Sequence, residues 1–418
     1  MPFTDDPRQF LTALFKAAVA QADPMKVLAD HLPQKPEGRL FVIGAGKASA
    51  RMAEALEVHY GPCDGYIITR YGYARECRGI EIVEAAHPVP DAAGEAATRE
   101  MLARLEALAL GPNDTVIALV SGGGSSLLCA PVAGISLADK QALNAALLAS
   151  GAPISQMNAV RKHLSAIKGG KLAVACAPAR LFTLMISDVP GDDPSMIASG
   201  PTVGDATTPQ DAIRILKDWN IDVPAHVLAA LGRSAPVLPT DPRLAQAVTK
   251  IIAAPSQSLE AAAALAVACD VRILGDDLEG EARELAVLHA GMARELAGSV
   301  TRPTLLLSGG ECTVTRRGDG RGGPNAEYVL AAVDALAGHG QIHVLAGDTD
   351  GVDGIEEVAG AYGGPRSLET AKAQGVSVQA ALDTNDAHGF FASIGGQIVT
   401  GPTLTNVNDF RAVLILPA

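Results

Sequence analysis

Two glycine-rich loops have the composition of phosphate-binding sites. Gly44-Ala45-Gly46-Lys47 follows the apolar run Leu40–Ile43, and a Ser-Gly-Gly-Gly-Ser-Ser segment follows the apolar run Val116–Val120. Backbone N–H groups of such loops can bind phosphate oxygens at a helix N-terminus, and Lys47 adds a cation. A tight structural turn is the alternative for both loops. The predicted nucleotide- or phosphate-binding residues are Gly44, Gly46, Ser121, Gly122, Gly123, Gly124, Ser125 and Ser126.

A basic stretch within residues 158–171 has the charge to bind an anionic substrate. Helical spacing places Arg161, Ser165 and Lys168 on one face. A solvated basic face is the ordinary alternative, but concentrated positive charge is more informative in a chain whose net charge is −13. Arg161 and Lys168 are therefore predicted to bind substrate.

Two acidic loops have the side chains to hold Mg²⁺ or to supply a general base. They cover Ser187–Ser195 and Gly347–Gly354, and hard cations prefer oxygen ligands. The second loop resembles the start of an EF-hand, but Val352 occupies its fifth position and Ala359 its twelfth, which excludes that site. An ordinary acidic turn is the alternative for each loop. The predicted metal ligands are Asp188, Asp193 and Asp348.

An arginine-rich loop precedes the helix predicted from Asn325. Arg316, Arg317 and Arg321 lie beside Gly322 and Gly323. A planar guanidinium group pairs with carboxylates and phosphates through two hydrogen bonds. The loop is therefore a second candidate for anion binding, with a mobile basic hairpin tip as the alternative.

The elements that position these loops alternate between strand and helix. Short apolar runs rich in branched residues alternate with Ala-rich amphipathic segments, which indicates βαβ units. The predicted fold is α/β, with two Rossmann-like domains, mostly parallel sheets and an interdomain active-site cleft. Prolines punctuate residues 222–241, and we place the boundary there, giving domains 1–240 and 241–418.

Composition restricts the class of protein. The chain has 418 residues, of which 48% are hydrophobic, with 33 Lys and Arg against 46 Asp and Glu. This acidic balance argues against nucleic-acid and anionic-membrane partners. The six cysteines form no C-x-x-C pair, and no secretory signal pattern opens the sequence. We expect a cytoplasmic protein with a small-molecule substrate, and a homodimer is left open.

The same motifs, in the same order, resemble those of the glycerate 2-kinases, and the C-terminal stretch 305–415 resembles the MOFRL domain. The resemblance covers nearly the whole chain. The segments that carry it are Val42–Ala48, Ala86–Asp91 (Ala-His-Pro-Val-Pro-Asp), Leu119–Ser125, Asn158–Ser165, Ile186–Pro194, Ala198–Thr202, Thr349–Gly351 and Gly401–Asp409.

This resemblance implies ATP- and Mg²⁺-dependent phosphorylation of D-glycerate to 2-phosphoglycerate. Lys47 matches the active-site lysine of the family, which implies that it stabilises the transferring phosphoryl group. The family commonly has an arginine in a Gly-Gly-Arg-Asn stretch, where this chain has Pro324 before Asn325. Arg321 is our substitute, and Asn325 is assigned to substrate binding. Asp188, or alternatively Asp193, is expected to accept the hydroxyl proton or hold Mg²⁺.

Two other functions remain open from the sequence. Some relatives are named hydroxypyruvate reductase, and Gly44-Ala45-Gly46 suits an NAD(P)H-dependent enzyme of that kind. Ser49 in place of the third glycine, and the lack of an acidic ribose partner near Thr69, oppose it. A sugar-phosphate sensor without turnover is the third class, and the acidic loops oppose that alternative.

Overall fold

The chain forms two compact units, each with its own sheet. The computed structural model describes residues 6–418. The first unit comprises residues 24–188 and 192–252, and the second comprises residues 6–23, 189–191 and 253–418. Within these described residues, no helix is long and apolar enough to cross a membrane. The domain boundary at 240/241 stays a prediction; helix α1, defined below, belongs to the second unit.

The helices and strands are numbered in chain order. The strands are β1 Leu40–Ala45, β2 Asp64–Arg70, β3 Ile80–Ala85, β4 Thr115–Val120, β5 Arg180–Ile186, β6 Ala247–Ala253, β7 Asp270–Gly275, β8 Gly280–Glu281, β9 Thr304–Ser308, β10 Cys312–Thr313, β11 Ile342–Asp348, β12 Gly360–Gly363, β13 Gln397–Ile398 and β14 Asp409–Ile415. The helices are α1 Pro7–Gln21, α2 Pro24–Val27, α3 Ser49–Tyr60, α4 Ala92–Leu108, α5 Gly124–Leu127, α6 Leu137–Ser150, α7 Ile154–His163, α8 Lys171–Cys176, α9 Pro209–Asp218, α10 Ala225–Gly232, α11 Pro255–Leu265, α12 Ala282–Ala297, α13 Pro324–Leu336, α14 Ser367–Gln374, α15 Val378–Thr384 and α16 Ala387–Ser393.

The sheet of the first unit has the order β3-β2-β1-β4-β5-β6, and the pairings from β3 through β5 are parallel. Strand β4 is buried along its whole length, as expected for a parallel strand covered on both faces. The chain runs outward from β1 to β3 and then returns to β4 on the other side of β1. The loops after β1 and β4 therefore lie side by side at the switch point of the sheet.

Helices α6, α7, α9 and α10 form a separate apolar core in the first unit, with Leu147, Val160 and Leu231 in its interior. Helix α6 begins with a capping box. The Ser136 hydroxyl accepts a hydrogen bond from the Asp139 N–H group, and the Asp139 carboxylate accepts one from the Ser136 N–H group. This cap fixes the first turn of α6, which carries Lys140.

The sheet of the second unit has the order β13-β12-β11-β14-β9-β7. One face is covered by α12 and α13 around Tyr328, and the other by α1 and α11 around Phe15. The α/β class with two domains is confirmed. The pairings from β3 through β5 in the first sheet are parallel as predicted, whereas the second sheet is mixed. There only β7 and β9 pair in parallel among the described strands, because the C-terminal strand β14 inserts antiparallel between β9 and β11.

Candidate active site

The loops after β1 and β4 are joined by direct hydrogen bonds. The Lys47 N–H group donates to the Gly122 carbonyl at 2.8 Å, and the Ala48 N–H group donates to the Ser121 hydroxyl at 2.9 Å. A Cβ atom at Gly46 would lie 2.1 Å from that hydroxyl oxygen. Glycine is therefore required here because the two loops approach so closely. The structure brings the two predicted phosphate-binding loops together.

Gly123 brings the second loop against two functional side chains. Its φ is +79°, and a Cβ atom there would lie 3.0 Å from the His87 Nε2 atom and 3.2 Å from the Lys47 Cγ atom. The half-buried Lys47 and the His87 imidazole therefore flank the same glycine. A cation and an imidazole beside a glycine loop can stabilise negative charge on a phosphoryl group.

Lys168 is hydrogen-bonded to the serine–glycine loop, which comprises residues 121–126. Its side chain is 1% exposed, and its ammonium group donates to both the carbonyl and the hydroxyl oxygen of Ser125 at 2.6 Å. The Ser125 hydroxyl also lies 2.8 Å from the Ser199 hydroxyl. Burial, together with the nearby cations Lys140 and Arg161, lowers the pKa of Lys168 well below its usual value.

A cavity of 360 Å³ adjoins this loop in the first unit. Its polar wall combines the loop with basic side chains, and its apolar wall comes from the Pro88–Pro90 segment and from leucines of α6 and α7. Cavities of this size bind small metabolites. The residues that line it are His87, Pro88, Val89, Pro90, Gly123, Ser125, Ser126, Lys140, Leu143, Asn144, Leu148, Arg161, Leu164 and Lys168.

Arg161 lines this cavity and has a hydrogen-bond donor without a partner in the described protein. One terminal nitrogen donates to the Asn158 side-chain oxygen at 3.3 Å, whereas the buried Nε atom has no partner in the described protein. Burial lowers the pKa of Arg161. Helix α7 ends at His163, so Lys168 does not lie on a helix face shared with Arg161 as predicted, but both side chains line this cavity.

The acidic loop after β5 uses its carboxylates in different ways. Asp193 accepts hydrogen bonds from the Ser195 N–H group at 2.8 Å and from its hydroxyl at 2.9 Å, which closes a turn. Asp192 has a buried carboxylate oxygen without a hydrogen-bond partner in the described protein. Asp188 lies half-buried directly after β5. Among residues 6–418, no three His, Cys, Asp or Glu side chains form a group that could hold a metal ion by themselves.

The predicted site residues of the second unit have varied environments. Asn325 is fully buried at the start of α13, where its side-chain nitrogen donates to Asp409 at 2.6 Å and to Asp353 at 3.3 Å. Arg321 is 59% exposed, and its guanidinium lies 3.9 Å from the Glu356 carboxylate. Asp348 ends β11 and is half-buried. The structure thus joins Asn325 to an internal carboxylate network.

Asp353 is the centre of that network, and sequence reasoning assigned it no separate role. Its carboxylate accepts hydrogen bonds from the backbone N–H groups of Asn325 at 3.0 Å and Ala326 at 2.8 Å, so it caps α13. The fully buried His388 ring lies 3.1 Å away. Burial raises the pKa of the neighbouring Asp409, while Arg411 opposes that shift.

Two residues of the cavity were missed by site prediction. His87 belongs to the Ala-His-Pro-Val-Pro-Asp segment, which supported the resemblance but was given no role. Lys140 carries no sequence signal that separates it from a solvated helix lysine, because only the tertiary arrangement brings it beside Arg161 and Lys168.

Comparisons with known proteins cover the chain almost completely. Residues 10–232 match a domain of unknown function, DUF4147, and residues 304–409 match the MOFRL family. The chain is 50% identical to a protein of Agrobacterium vitis provisionally named hydroxypyruvate reductase, over 98% of this chain and 94% of the other. It is 35% identical to the D-glycerate 2-kinase of Thermotoga maritima, over 96% and 97% of the two chains. A crystal structure of glycerate kinase from Thermotoga maritima superposes with a TM-score of 0.87 at 34% identity, covering 99% of this chain and 100% of that one.

Proposed function

The chain belongs to the glycerate 2-kinase family, and from that membership we propose that it transfers a phosphoryl group from ATP to the 2-hydroxyl of D-glycerate. The products are 2-phospho-D-glycerate and ADP. The observation that carries the proposal is the cavity at the switch point of the first sheet, where a glycine loop and three cations surround space for a small anion, with Lys47 against the same glycine loop.

The residues of the first unit divide the work of such a transfer. The glycine loop of residues 121–126 binds phosphate oxygens, and Lys47 stabilises charge on the transferring group. Arg161 and Lys168 hold the substrate carboxylate. Phosphoryl transfer depends mainly on positioning and charge stabilisation, so a site made of these residues needs no covalent nucleophile.

Asp188 is the proposed base for the 2-hydroxyl proton, because it follows β5 at the carboxyl edge of the same sheet. Asp193 is the alternative from the sequence, but its carboxylate already accepts two hydrogen bonds from Ser195. Arg321 remains the proposed substitute for the family arginine, and Asn325 a proposed substrate contact.

Mg²⁺ fits the carboxylates of the loop after β5. In kinase sites this ion is usually held by one or two carboxylates together with substrate phosphates, so no three-residue protein cage is needed. Asp192 is the proposed ligand, since it has a buried oxygen without a partner; ligation by Asp188 and Asp193 stays a prediction. When bound, the ion neutralises charge on the phosphate oxygens. For Asp348, ligation stays a prediction.

A hydroxypyruvate reductase is the second candidate, favoured by the provisional name of the Agrobacterium vitis relative. The local structure gives it less support. The Ser49 hydroxyl donates to the Leu119 carbonyl at 2.8 Å, where a dinucleotide fingerprint has glycine. At the end of β2, Thr69 donates to the Gly46 carbonyl and Arg70 lies over the Tyr73 ring, so neither side chain is the acidic ribose partner of a dinucleotide fingerprint.

One assay separates these functions. Purified protein is incubated with D-glycerate, ATP and Mg²⁺, and the products are followed by phosphorus NMR. A 2-phosphoglycerate resonance is expected. A 3-phosphoglycerate resonance would contradict the proposed regiochemistry, and NADPH oxidation with hydroxypyruvate, without phosphorylation, would favour the reductase. Ligand binding with neither reaction would favour a sensor.

Lys47→Ala tests the proposed charge stabilisation. Removing one preorganised group of this kind costs about 10²–10³-fold in turnover. The matched control is Lys217→Ala, which removes an exposed lysine of α9. Turnover by Lys47→Ala close to that of the wild type, with an unchanged circular dichroism spectrum, would contradict the role of Lys47.

A further inference from the structure

Three cations meet at the cavity of the first unit without a compensating carboxylate. Lys140 comes from α6, Arg161 from α7 and Lys168 from the segment after α7, and we call them the three-cation cluster. No Asp or Glu lines the cavity. Among the ion pairs of the described residues, none involves these three side chains. By contrast the buried Lys162 lies 3.6 Å from the Asp205 carboxylate.

The surroundings of Lys140 do not neutralise it. Its ammonium group meets the Cys129 thiol, and burial raises the pKa of that thiol, so the sulfur stays neutral. The Glu95 carboxylate, which attracts the Lys140 ammonium, is already paired with Arg99 at 2.8 Å. Burial, with a contribution from Arg161, lowers the pKa of Lys140.

The position of Lys140 in its helix also makes its positive charge unfavourable in the ligand-free protein. Lys140 lies in the first turn of α6, next to Asp139 of the capping box. The positive end of a helix dipole disfavours a cation and favours an anion. A half-buried cation without an ion-pair partner at a helix N-terminus therefore destabilises the ligand-free protein and strengthens the attraction for an anionic ligand.

Charge matching identifies the form of ligand that the cluster suits. Glycerate has one negative charge, and a phosphate ester adds about 1.5 to 2 more near neutral pH. A molecule with both a carboxylate and a phosphate therefore has close to three negative charges, against three cations. The buried Arg161 Nε atom and the Ser126 and Asn144 side chains supply further hydrogen-bonding groups around it.

We propose that the three-cation cluster is a site for hydroxy acids with two anionic groups, and that Lys140 provides the binding preference for the phosphorylated acid over the unphosphorylated one. This inference rests on the proposed function for the identity of the ligand. It makes Lys140 a specificity-determining residue, which acts on the product more than on the substrate.

The test measures binding without ATP, by titration calorimetry with D-glycerate and 2-phosphoglycerate. Wild-type protein should bind 2-phosphoglycerate more tightly. Lys140→Met should lose about 10- to 100-fold of the affinity for 2-phosphoglycerate, as for a lost hydrogen bond to a charged group, and about threefold or less of the affinity for glycerate. Lys140→Arg should keep the preference, and the control Lys217→Met should bind both ligands like the wild type.

A melting measurement separates binding from a structural role. Because Lys140→Met removes a half-buried charge that has no ion-pair partner among the described residues, the Tm of the ligand-free variant should be equal to or above that of the wild type. A lower Tm, or an equal loss of affinity for both ligands, would overturn the proposal. If the wild type makes no 2-phosphoglycerate in the phosphorus assay, the proposed function fails. The Lys140-dependent preference is measured independently of that result.

Discussion

Replacing Gly123 by alanine tests whether the close approach of the glycine loop to Lys47 and His87 matters for turnover. Gly123 has a φ of +79°, and an added Cβ would lie 2.9 Å from the His87 ring, about 0.5 Å inside ordinary van der Waals contact. The imidazole and the lysine side chain must therefore move away from the loop. Gly134→Ala is the matched control, because Gly134 has a φ of +86° and its Cβ would meet nothing within 4 Å.

The two variants should differ in activity but not in backbone strain. An alanine in the left-handed region costs about 1–2 kcal/mol, so both should lose a similar free energy of unfolding, with a fall in Tm of about 2–4 °C for each kcal/mol. A misplacement of 1 Å at reacting groups can cost about 100-fold in rate, so a shift of half that size predicts about a tenfold loss of kcat/KM for Gly123→Ala. Gly134→Ala should keep its activity within about twofold.

Steady-state kinetics and urea unfolding of the two proteins provide the comparison. If Gly123→Ala retains wild-type kcat/KM while its stability falls like that of Gly134→Ala, the loop does not position Lys47 and His87 for the reaction. If Gly134→Ala loses as much activity as Gly123→Ala, backbone strain rather than crowding explains both, and the argument from the contacts is refuted.

Three further predictions follow from individual contacts. Asp353→Ala should lower the free energy of unfolding by about 3 kcal/mol or more, because two α13 N–H groups and the Asn325 amide lose their acceptor; urea unfolding beside the exposed α13 control Asp334→Ala checks this. Asp192→Asn should raise the Mg²⁺ concentration for half-maximal activity about tenfold or more, whereas Asp193→Asn should leave it nearly unchanged, as activity measured against Mg²⁺ concentration will reveal. Burial lowers the pKa of His343 to about 4, against about 6.5 in the unfolded chain. The unfolded chain therefore takes up the proton first as the pH falls, stability is lost between about pH 6.5 and 4, and His343→Gln should reduce that loss in urea unfolding across this range.

The first sheet could be predicted because its physics is visible in the sequence. Parallel strands covered on both faces are continuous apolar runs, and such runs predict β1 and β4 and therefore the loops that follow them. Strand order is not encoded in such runs. The sequence therefore predicted two phosphate-binding loops but could not predict that the Lys47 N–H group donates to the Gly122 carbonyl.

The second sheet shows where periodicity fails. Strand β12 has four residues, two of them glycines, and β13 has two residues, so neither gives a recognisable apolar pattern. The antiparallel insertion of β14 is a long-range pairing that no local signal specifies.

The motifs predict membership in the glycerate 2-kinase family, and the full-length relatives confirm it.

The roles of loop carboxylates were the hardest to predict from the sequence. A metal ligand and a backbone cap both require a carboxylate oxygen near a turn, so the two roles share one composition. In the structure Asp193 accepts from the Ser195 N–H group and Asp353 caps α13, whereas Asp192 keeps an unpartnered oxygen. Only the hydrogen-bond partners separate these cases.

The net charge of the protein is negative, whereas the charge around its cavity is positive. This contrast indicates that the three-cation cluster serves ligand binding and not stability. A net charge of −13 favours solubility and opposes binding of large polyanions. The three cations around the 360 Å³ cavity have no ion-pair partner among the described residues, and they lower the stability of the ligand-free protein. Such a cost is retained when function depends on it, because sites that must bind a charged ligand are built at the expense of folding free energy. By this reasoning, substitutions that neutralise Lys140 should stabilise the empty protein and weaken its hold on a phosphorylated acid, and the two effects should have a single electrostatic cause.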